Sequence, residues 1–390
     1  MSNLVSPGDF PVAQEYTYLN AAAIAPLPEV VSSATIDWQR RVGMQGTVHL
    51  DEEAEASVFD ALRQAAARLL GAQPDEIACA SNASELLCSL AWGLGPGRGS
   101  NVVSASVEFP SVVYPWLRVA RLTGCDVRLT RDTDYIIDPH ELMDLIDDQT
   151  AAVCISHIQY LTGQRLDVAA LAKVAHSRGA ILIVDATQSA GAVPIDVTTD
   201  DIDVLVTSGY KWLCGPLGSA VLFVRRDLHE DLEPGMVGWR STEQVGVDFD
   251  ARAIQWAPSA RRFEFGTIAY GGTVGLATAI DYLLDIGIDE ICSHNLTLAD
   301  RLVEGLADMG AHLVSPSASK LHSSIVTVQF RGHDHVRLAR RLFDHRVVVS
   351  PRMGSLRIAP HLYNTVHDID RALETLEGVL ADDERWGGKT

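Results

Sequence analysis

The chain has 390 residues, of which 47% are hydrophobic, so it is long enough for one large domain and a smaller one. Its formal net charge of −20 argues against nucleic-acid binding, because a phosphate backbone is held by clustered lysine and arginine. The sequence has no run of 18 apolar residues and no basic, apolar leader, so we expect a cytoplasmic protein without a membrane span.

The middle of the chain alternates short apolar runs with helical patterns. Runs rich in β-branched residues, bounded by turn residues, occur at 101–106, 151–158, 180–186, 203–209 and 219–225. The intervening segment 168–179 has helical spacing and ends at a glycine. This alternation predicts an α/β fold with a mostly parallel sheet covered on both faces, in which ligands bind at the carboxyl ends of the strands.

After about residue 270 the pattern changes to helix, strand, helix. We therefore predict three parts: an N-terminal segment 1–20, a large domain 21–270 and a smaller α+β domain 271–390. The six cysteines are scattered and form no C-x-x-C pair, which argues against a disulfide framework or a zinc site. We expect no bound metal.

Lys211 stands out because the chain has only four lysines: Lys173, Lys211, Lys320 and Lys389. It follows the apolar run "LVTSG", lies between Tyr210 and Trp212, and precedes glycines. Burying an ammonium is costly, so a lysine retained in such a place is expected to be used chemically.

Two other segments are expected to lie near Lys211. Asp185 ends the very apolar strand in "VDATQSAG", three residues before Gln188, and a carboxylate there needs a cation or serves as a helix cap. A helix is predicted to begin near Ala83, where Ser84 and free N–H groups would form a phosphate cradle, with simple capping by Ser81 or Asn82 as the alternative. An amine, a carboxylate and a donor-rich turn together suit pyridoxal 5′-phosphate.

The order of "VDATQSAG", "VTSGYKWLCGPLG", "RRFEFGTIAY" and "SLRIAPHLYNT" resembles the class V aminotransferase family of pyridoxal phosphate enzymes of fold type I. That branch includes cysteine desulfurases, isopenicillin N epimerase-like proteins and kynureninases. The resemblance runs from about Asn20 to the C-terminus. It implies a seven-stranded type of sheet in the large domain, an amino-acid substrate and a homodimer with shared active sites.

The resemblance also implies roles for individual residues. Lys211 would form the Schiff base with the cofactor, Asp185 would contact the ring nitrogen, and Gln188 would donate to the ring hydroxyl. Further cofactor contacts are implied for Ala83, Ser84, Phe109, Ser208, Tyr210 and, from the neighbouring subunit, Thr267. Asn20 and Arg357 would bind substrate, Arg357 through its α-carboxylate. Residue-level alternatives remain, namely a core aromatic for Phe109, a hairpin turn for Thr267 and a surface arginine for Arg357.

The segment before Arg357 contains no cysteine, which limits the reactions that the resemblance allows. Desulfurases of this family place a nucleophilic cysteine on a loop shortly before that arginine, whereas "RVVVSPRMGSLR" has none. Lys211 alone can remove a Cα proton, so we expect β-elimination of a sulfur substituent from an S-substituted cysteine. The alternatives are transamination, epimerisation, for which Tyr160 or His361 would be the second base, kynureninase-like hydrolysis, or a binding protein without activity.

Overall fold

A computed structural model describes residues 4–131, 134–243, 252–316 and 322–387. Its strands are β1 (Thr17–Tyr18), β2 (Ile77–Ala80), β3 (Asn101–Ala105), β4 (Asp126–Thr130), β5 (Thr150–Ser156), β6 (Ile181–Asp185), β7 (Val204–Ser208), β8 (Ala220–Val224), β9 (His312–Leu313), β10 (Val326–Gln329), β11 (Val347–Val348), β12 (Ser350–Arg352) and β13 (Ser355–Ile358). Its α-helices are α1 (Pro11–Glu15), α2 (Glu29–Gln45), α3 (Glu52–Leu70), α4 (Ala83–Leu94), α5 (Pro110–Thr123), α6 (Pro139–Asp144), α7 (Val168–Ser177), α8 (Tyr270–Ile286), α9 (Ile288–Asp308), α10 (His335–Asp344) and α11 (Val366–Gly387).

A seven-stranded sheet in the order β2-β8-β7-β6-β5-β3-β4 forms the centre of the molecule. β8 runs antiparallel to its neighbours β2 and β7, and the remaining strands are parallel to one another. The strands β7 and β8 are buried along their whole length, which explains why they read as continuous apolar runs. The predicted mostly parallel sheet and α/β class are confirmed, and each of the five predicted strands forms within two residues of its predicted bounds.

The carboxyl ends of three adjacent strands meet at one edge of this sheet. β5, β6 and β7 end at Ser156, Asp185 and Ser208, and Ser156 is the direct partner of Asp185 in the register. Parallel strands end on the same side, so residues far apart in sequence are brought together there. This edge carries the candidate site.

A second sheet of four antiparallel strands has the order β12-β13-β10-β9. Its apolar face, formed by Val326, Val328, Leu356 and Ile358, belongs to a core shared with leucines of α9, α10 and α11. Near the N-terminus, β1 pairs in parallel with β11, and Asn20 bridges to Ala359. The first strand of the chain therefore joins the C-terminal part of the molecule.

The predicted domain boundaries at residues 20 and 270 stay predictions. α8 begins at the second boundary and packs against α2 and α3, so it contacts elements of the large predicted domain. Among the described residues, no helix is both long enough and apolar enough to cross a bilayer.

Candidate active site

The carboxyl edge of the sheet holds a cavity between the start of α4, the start of α5 and the turn after β7. Eight residues singled out from the sequence line it: Ala83, Ser84, Phe109, Asp185, Gln188, Ser208, Tyr210 and Lys211. The other lining residues are Ser111, Ser156, Ile158, Tyr160 and Thr187. The structure thus brings together segments separated by more than a hundred positions, as adjacent strand ends predict.

Lys211 lies in the turn that follows β7 and is only 9% exposed. Burial lowers the pKa of its amine to about 8, and the nearby charge of Asp185 opposes part of that change. Its Nζ atom lies 5.7 Å from the ring centres of both Phe109 and Tyr210. An amine with a pKa near 8 is partly neutral at physiological pH, so it can act as a nucleophile or a base.

Asp185 ends β6 and is 7% exposed. One carboxylate oxygen accepts a hydrogen bond of 2.8 Å from the Thr187 N–H. Burial raises the pKa of Asp185, whereas the Thr187 hydrogen bonds and the charge of Lys211 oppose that rise. Burial disfavours the charged forms of both Asp185 and Lys211. A ligand that places a protonated nitrogen beside Asp185 would therefore stabilise its carboxylate.

Gln188 is held between two elements by its side-chain amide. Its Nε2 donates to the Ala22 carbonyl at 3.0 Å, and its Oε1 accepts from Trp212 Nε1 at 2.7 Å. The indole nitrogen can only donate, so the orientation of the amide is determined. One N–H of Gln188 remains for a ligand in the cavity.

Two helices begin at the cavity, so their free N–H groups gather on one side of it. Asn82 caps α4 by accepting from the Glu85 N–H at 2.8 Å, and the Ala83 N–H donates to Ser208 Oγ at 3.0 Å. The hydroxyls of Ser84 and Ser111, in the first turns of α4 and α5, are 2.6 Å apart. Capping by Asn82 and an anion cradle therefore coexist, since a cap serves only one of the first-turn N–H groups.

Phe109 and Tyr160 form an aromatic pair in the lining of the cavity. Their rings are 5.4 Å apart in an edge-to-face arrangement. Phe109 is 42% exposed, so the alternative that it is a core aromatic is wrong. An exposed ring beside a cavity offers an apolar face on which a planar ligand can stack.

Three predicted site residues do not line this cavity within one chain. Thr267 is exposed. Asn20 and Arg357 are not among the lining residues: the Asn20 Oδ1 is buried with no hydrogen-bond partner in the described part of the chain, and Arg357 Nη1 donates to the carbonyl of the lining residue Tyr160 at 2.6 Å. Arg357 is 2% exposed, which contradicts the alternative of a surface arginine, and its Nε has no partner among the described residues.

His361, considered above as a second base, is not available for that role. It is fully buried, its Nε2 donates to the Trp212 carbonyl at 3.0 Å, and its Nδ1 accepts from the Asn295 amide at 3.1 Å. Burial lowers its pKa to about 3. Its two ring nitrogens therefore link the turn at Trp212 to Asn295 of α9, neither is free to take a proton from substrate, and the suggestion from sequence is wrong.

Sequence reasoning missed several residues in or beside the site, among them Glu108, which does not line the cavity but contacts its lining residue Ser156. This buried carboxylate accepts hydrogen bonds from the Ser156 N–H and hydroxyl, and burial raises its pKa to about 7. Ser111 and Thr187 were also missed, although each lies within two residues of a predicted site residue. A search of the positions just after each strand end would have found Thr187, two residues beyond β6, whereas Ser111 lies in the first turn of α5.

The site suits pyridoxal phosphate by the chemistry of its donors. It offers an amine for the aldehyde, a buried carboxylate for the ring nitrogen, an amide N–H for the ring hydroxyl and helix N-termini for the phosphate. The unpartnered Nε of Arg357 marks a further anion position next to it. Among the described residues, no cluster of histidine, cysteine, aspartate and glutamate could hold a metal ion.

The chain belongs to the class V aminotransferase family, because the model of that family, "Aminotransferase class-V", matches residues 17–371. The prediction of the family and of a pyridoxal phosphate-dependent enzyme is therefore confirmed.

Individual relatives agree with this assignment. The chain is 30% identical to the "Uncharacterized aminotransferase YcbU" of Bacillus subtilis, covering 94% of this chain and 95% of that protein. It is 31% identical to the "Cysteine desulfurase" of Haloferax volcanii, covering 92% and 88%. Among solved structures, the cysteine desulfurase from Thermococcus onnurineus superposes with a TM-score of 0.87 at 26% identity, covering 96% of this chain and 97% of the other. The cysteine desulfurase CsdA from Escherichia coli superposes with a TM-score of 0.86 at 26% identity, covering 97% and 99%.

Proposed function

We propose that this enzyme cleaves the C–S bond of an S-substituted cysteine by β-elimination. The observation that carries the proposal concerns cysteine: all six cysteines are within the described residues, and none lines the cavity. Cys214, three residues after Lys211, is fully buried, and burial raises the pKa of its thiol. A persulfide-forming reaction needs an accessible thiolate, whereas elimination needs none.

The assigned roles follow the geometry of the cavity. Lys211 would bind the cofactor covalently, Asp185 would partner its ring nitrogen, and Gln188 would donate to its ring hydroxyl. The remaining cofactor contacts are assigned to Ala83, Ser84, Phe109, Ser208 and Tyr210. Bound there, the cofactor supplies an electron sink for the pair left on Cα when a proton is removed.

Proton transfer is the task of Lys211. The amino group of the substrate would take over the covalent bond to the cofactor and so release the amine of Lys211. Burial, which lowers the pKa of this amine to about 8 in the cofactor-free fold, would keep a fraction of it neutral, so that it could take the Cα proton while the C–S bond breaks and the thiolate leaves Cβ. The released 2-aminoacrylate reacts with water to give pyruvate and ammonium, so the thiol, pyruvate and ammonium account for the substrate and one water. Arg357 and Asn20 hold the substrate, with the buried guanidinium against its α-carboxylate.

A homodimer completes the site in this proposal. Thr267 is exposed and lies off the cavity of its own chain, as expected of a residue that reaches the phosphate of a partner. Exposed apolar side chains, including Phe109 at 42% and Leu217 at 64%, provide surface that a partner would cover. A cytoplasmic location is supported by the six unpaired thiols.

The test is incubation of the purified holoenzyme with a panel of S-substituted cysteines and ordinary amino acids. We expect equal amounts of pyruvate and ammonia from the S-substituted cysteines only. Borohydride reduction of the free holoenzyme should fix the cofactor on Lys211. The Lys211→Ala variant cannot form this link, so it should lack the visible absorption band without any reduction. Lys173→Ala, which changes an exposed lysine on α7, should keep both the band and the activity.

Other products would overturn the proposal in defined ways. Inverted stereochemistry without pyruvate would indicate epimerisation, and conversion of the cofactor to pyridoxamine phosphate would indicate transamination. Alanine together with elemental sulfur would indicate desulfuration. A colourless protein that does not bind pyridoxal phosphate would indicate a binding protein.

A further inference from the structure

The hairpin of β12 and β13 carries two arginines on one face. In the antiparallel register, Ser350 is opposite Arg357 and Arg352 is opposite Ser355. Residues directly opposite one another share a face, and so do residues two apart on one strand. Arg352 and Arg357 therefore project on the same side of the hairpin, at diagonal positions.

This side of the small sheet is the one that adjoins the active site. Thr327, which pairs with Arg357, donates from its hydroxyl to the Leu161 carbonyl, and Arg357 donates to the Tyr160 carbonyl. Tyr160 lines the cavity. The opposite face of the same sheet carries Leu356 and is covered by helices, so the arginine-bearing face alone can reach a ligand.

The charge of Arg352 acts on the cavity. It adds to the lowering of the pKa of both Lys211 and Arg357, after the larger effect of burial in each case. Arg352 is exposed and forms no ion pair with any carboxylate in the described part of the chain. Two guanidinium groups that repel each other, in a chain with a net charge of −20, form a local positive site that can bind anions.

Arg357 and Arg352 provide two positions for negatively charged groups, whereas an amino acid with a neutral side chain has only one such group, its α-carboxylate. The α-carboxylate of the substrate occupies Arg357, which leaves the guanidinium of Arg352 for a second negative group. Arg352 is exposed, does not line the cavity and lies on the same hairpin face as Arg357, so it suits a group at the far end of the sulfur substituent.

We propose that Arg352 selects substrates whose sulfur substituent ends in an acidic group, such as a carboxylate. This inference rests on the proposed elimination reaction and names its substrate class. Arg352 is a specificity-determining residue that contacts the departing half of the substrate and takes no part in proton transfer.

The experiment compares two isosteric substrates, S-(carboxymethyl)-L-cysteine and S-(carbamoylmethyl)-L-cysteine, which differ by one charge. We expect the holoenzyme to show a kcat/KM about tenfold higher for the acid, a modest factor because Arg352 is exposed and its ion pairs are screened. In Arg352→Gln the ratio should fall to about one. Arg340→Gln, which changes an exposed arginine on α10 on the other side of the small sheet, should keep the wild-type ratio.

A binding measurement separates this inference from the proposed reaction. L-2-aminoadipate and its side-chain amide have no leaving group at Cβ, and their dissociation constants for the holoenzyme can be measured by calorimetry. The acid should bind about tenfold tighter to the wild type, and this preference should be lost in Arg352→Gln. A preference absent in the wild type, or unchanged in the variant, would overturn the inference. If no substrate releases pyruvate while the binding preference holds, the elimination proposal fails and the role of Arg352 stands.

Discussion

At the scale of single residues, the site is governed by burial of opposite charges. Lys211 and Asp185 attract each other, yet the pKa of Lys211 is lowered and the pKa of Asp185 is raised. Each shift favours the neutral form of the group, because the loss of hydration outweighs the attraction between the charges. An amine that is partly neutral at neutral pH is the functional result. The cofactor-free protein should therefore lose stability by holding Lys211 in this place.

The stability cost of Lys211 has a defined pH dependence. Its pKa is 10.5 in the unfolded chain and about 8 in the fold, so between these values the unfolded chain binds more protons and stability rises with pH. Below pH 8 the full penalty applies, about 3 kcal/mol. Lys211→Met in the cofactor-free protein should be more stable than the wild type by roughly that amount at pH 7, and the difference should shrink toward pH 10.

Urea denaturation from pH 7 to pH 10 measures this effect. Lys173→Met is the matched control, because Lys173 is exposed on α7 and its removal should leave the pH dependence unchanged. A Lys211→Met variant as stable as the wild type at pH 7 would mean that the amine keeps its hydration.

At the scale of secondary-structure elements, a buried ion network anchors the segment that leads to Thr267. Glu264, in the motif "RRFEFGT", is 3% exposed and accepts from Arg63 at 2.6 Å and from the Cys79 N–H at 3.1 Å. Arg240 lies 3.4 Å from its other oxygen. The network connects α3, β2 and the segment before α8. Glu264 does not line the cavity, so its role in the motif "RRFEFGT" is to hold these elements together.

Glu264→Gln should remove the buried carboxylate that Arg63 and Arg240 share, which leaves each arginine with one more exposed partner, Asp60 and Glu55 respectively. We expect a loss of about 2–3 kcal/mol in the free energy of unfolding, measured by chemical denaturation, which is less than for a buried charge left with no partner. Glu304→Gln, on the exposed side of α9, is the control and should change stability by less than about 0.5 kcal/mol. Equal stability of the two variants would show that the network contributes nothing.

The turn after β6 is packed against the turn that carries Lys211. Gly191 has φ +87, and a Cβ there would lie 2.5 Å from the Trp212 carbonyl oxygen, whereas Gly179 has φ +76 and open space around it. The positive φ disfavours a side chain at both positions, but a side chain at Gly191 would also clash with the Trp212 carbonyl.

Alanine substitutions at these two glycines separate the two effects. Gly179→Ala should cost about 1 kcal/mol, and Gly191→Ala about 1–3 kcal/mol more, with weaker cofactor binding because Trp212 adjoins Lys211. Thermal unfolding and cofactor titration measure both quantities. Identical effects of the two substitutions would contradict a close contact between the turns.

At the scale of the whole molecule, the position of Thr267 bears on assembly. It lies off the cavity of its own chain, so its proposed phosphate contact requires a second copy of the chain. In a two-fold dimer, each site would combine Lys211 of one subunit with Thr267 of the other.

Mixed dimers test this sharing of sites. Lys211→Ala lacks the covalent cofactor link, and Thr267→Glu should repel the phosphate, so each variant alone should be inactive. Coexpression should restore about one quarter of the wild-type activity, because half of the dimers would contain one site with both native residues. No recovery in coexpressed, purified dimers would place Thr267 in the site of its own chain.

The sequence by itself determined the fold class, the family and most of the residues that meet at the strand ends. Continuous apolar runs specify strands buried on both faces, and the residues that end such strands, Asp185 and Ser208, must share one edge of the sheet. For this reason eight of the predicted site residues line one cavity.

Only the tertiary structure decided the contacts made across the chain by single side chains. Two ring hydrogen bonds remove His361 from catalysis, Ser156 neighbours Asp185 through strand pairing, and Arg352 shares a face with Arg357 through the register of a hairpin. A local pattern carries periodicity and turn chemistry, whereas register and long-range packing depend on the energy of the whole fold.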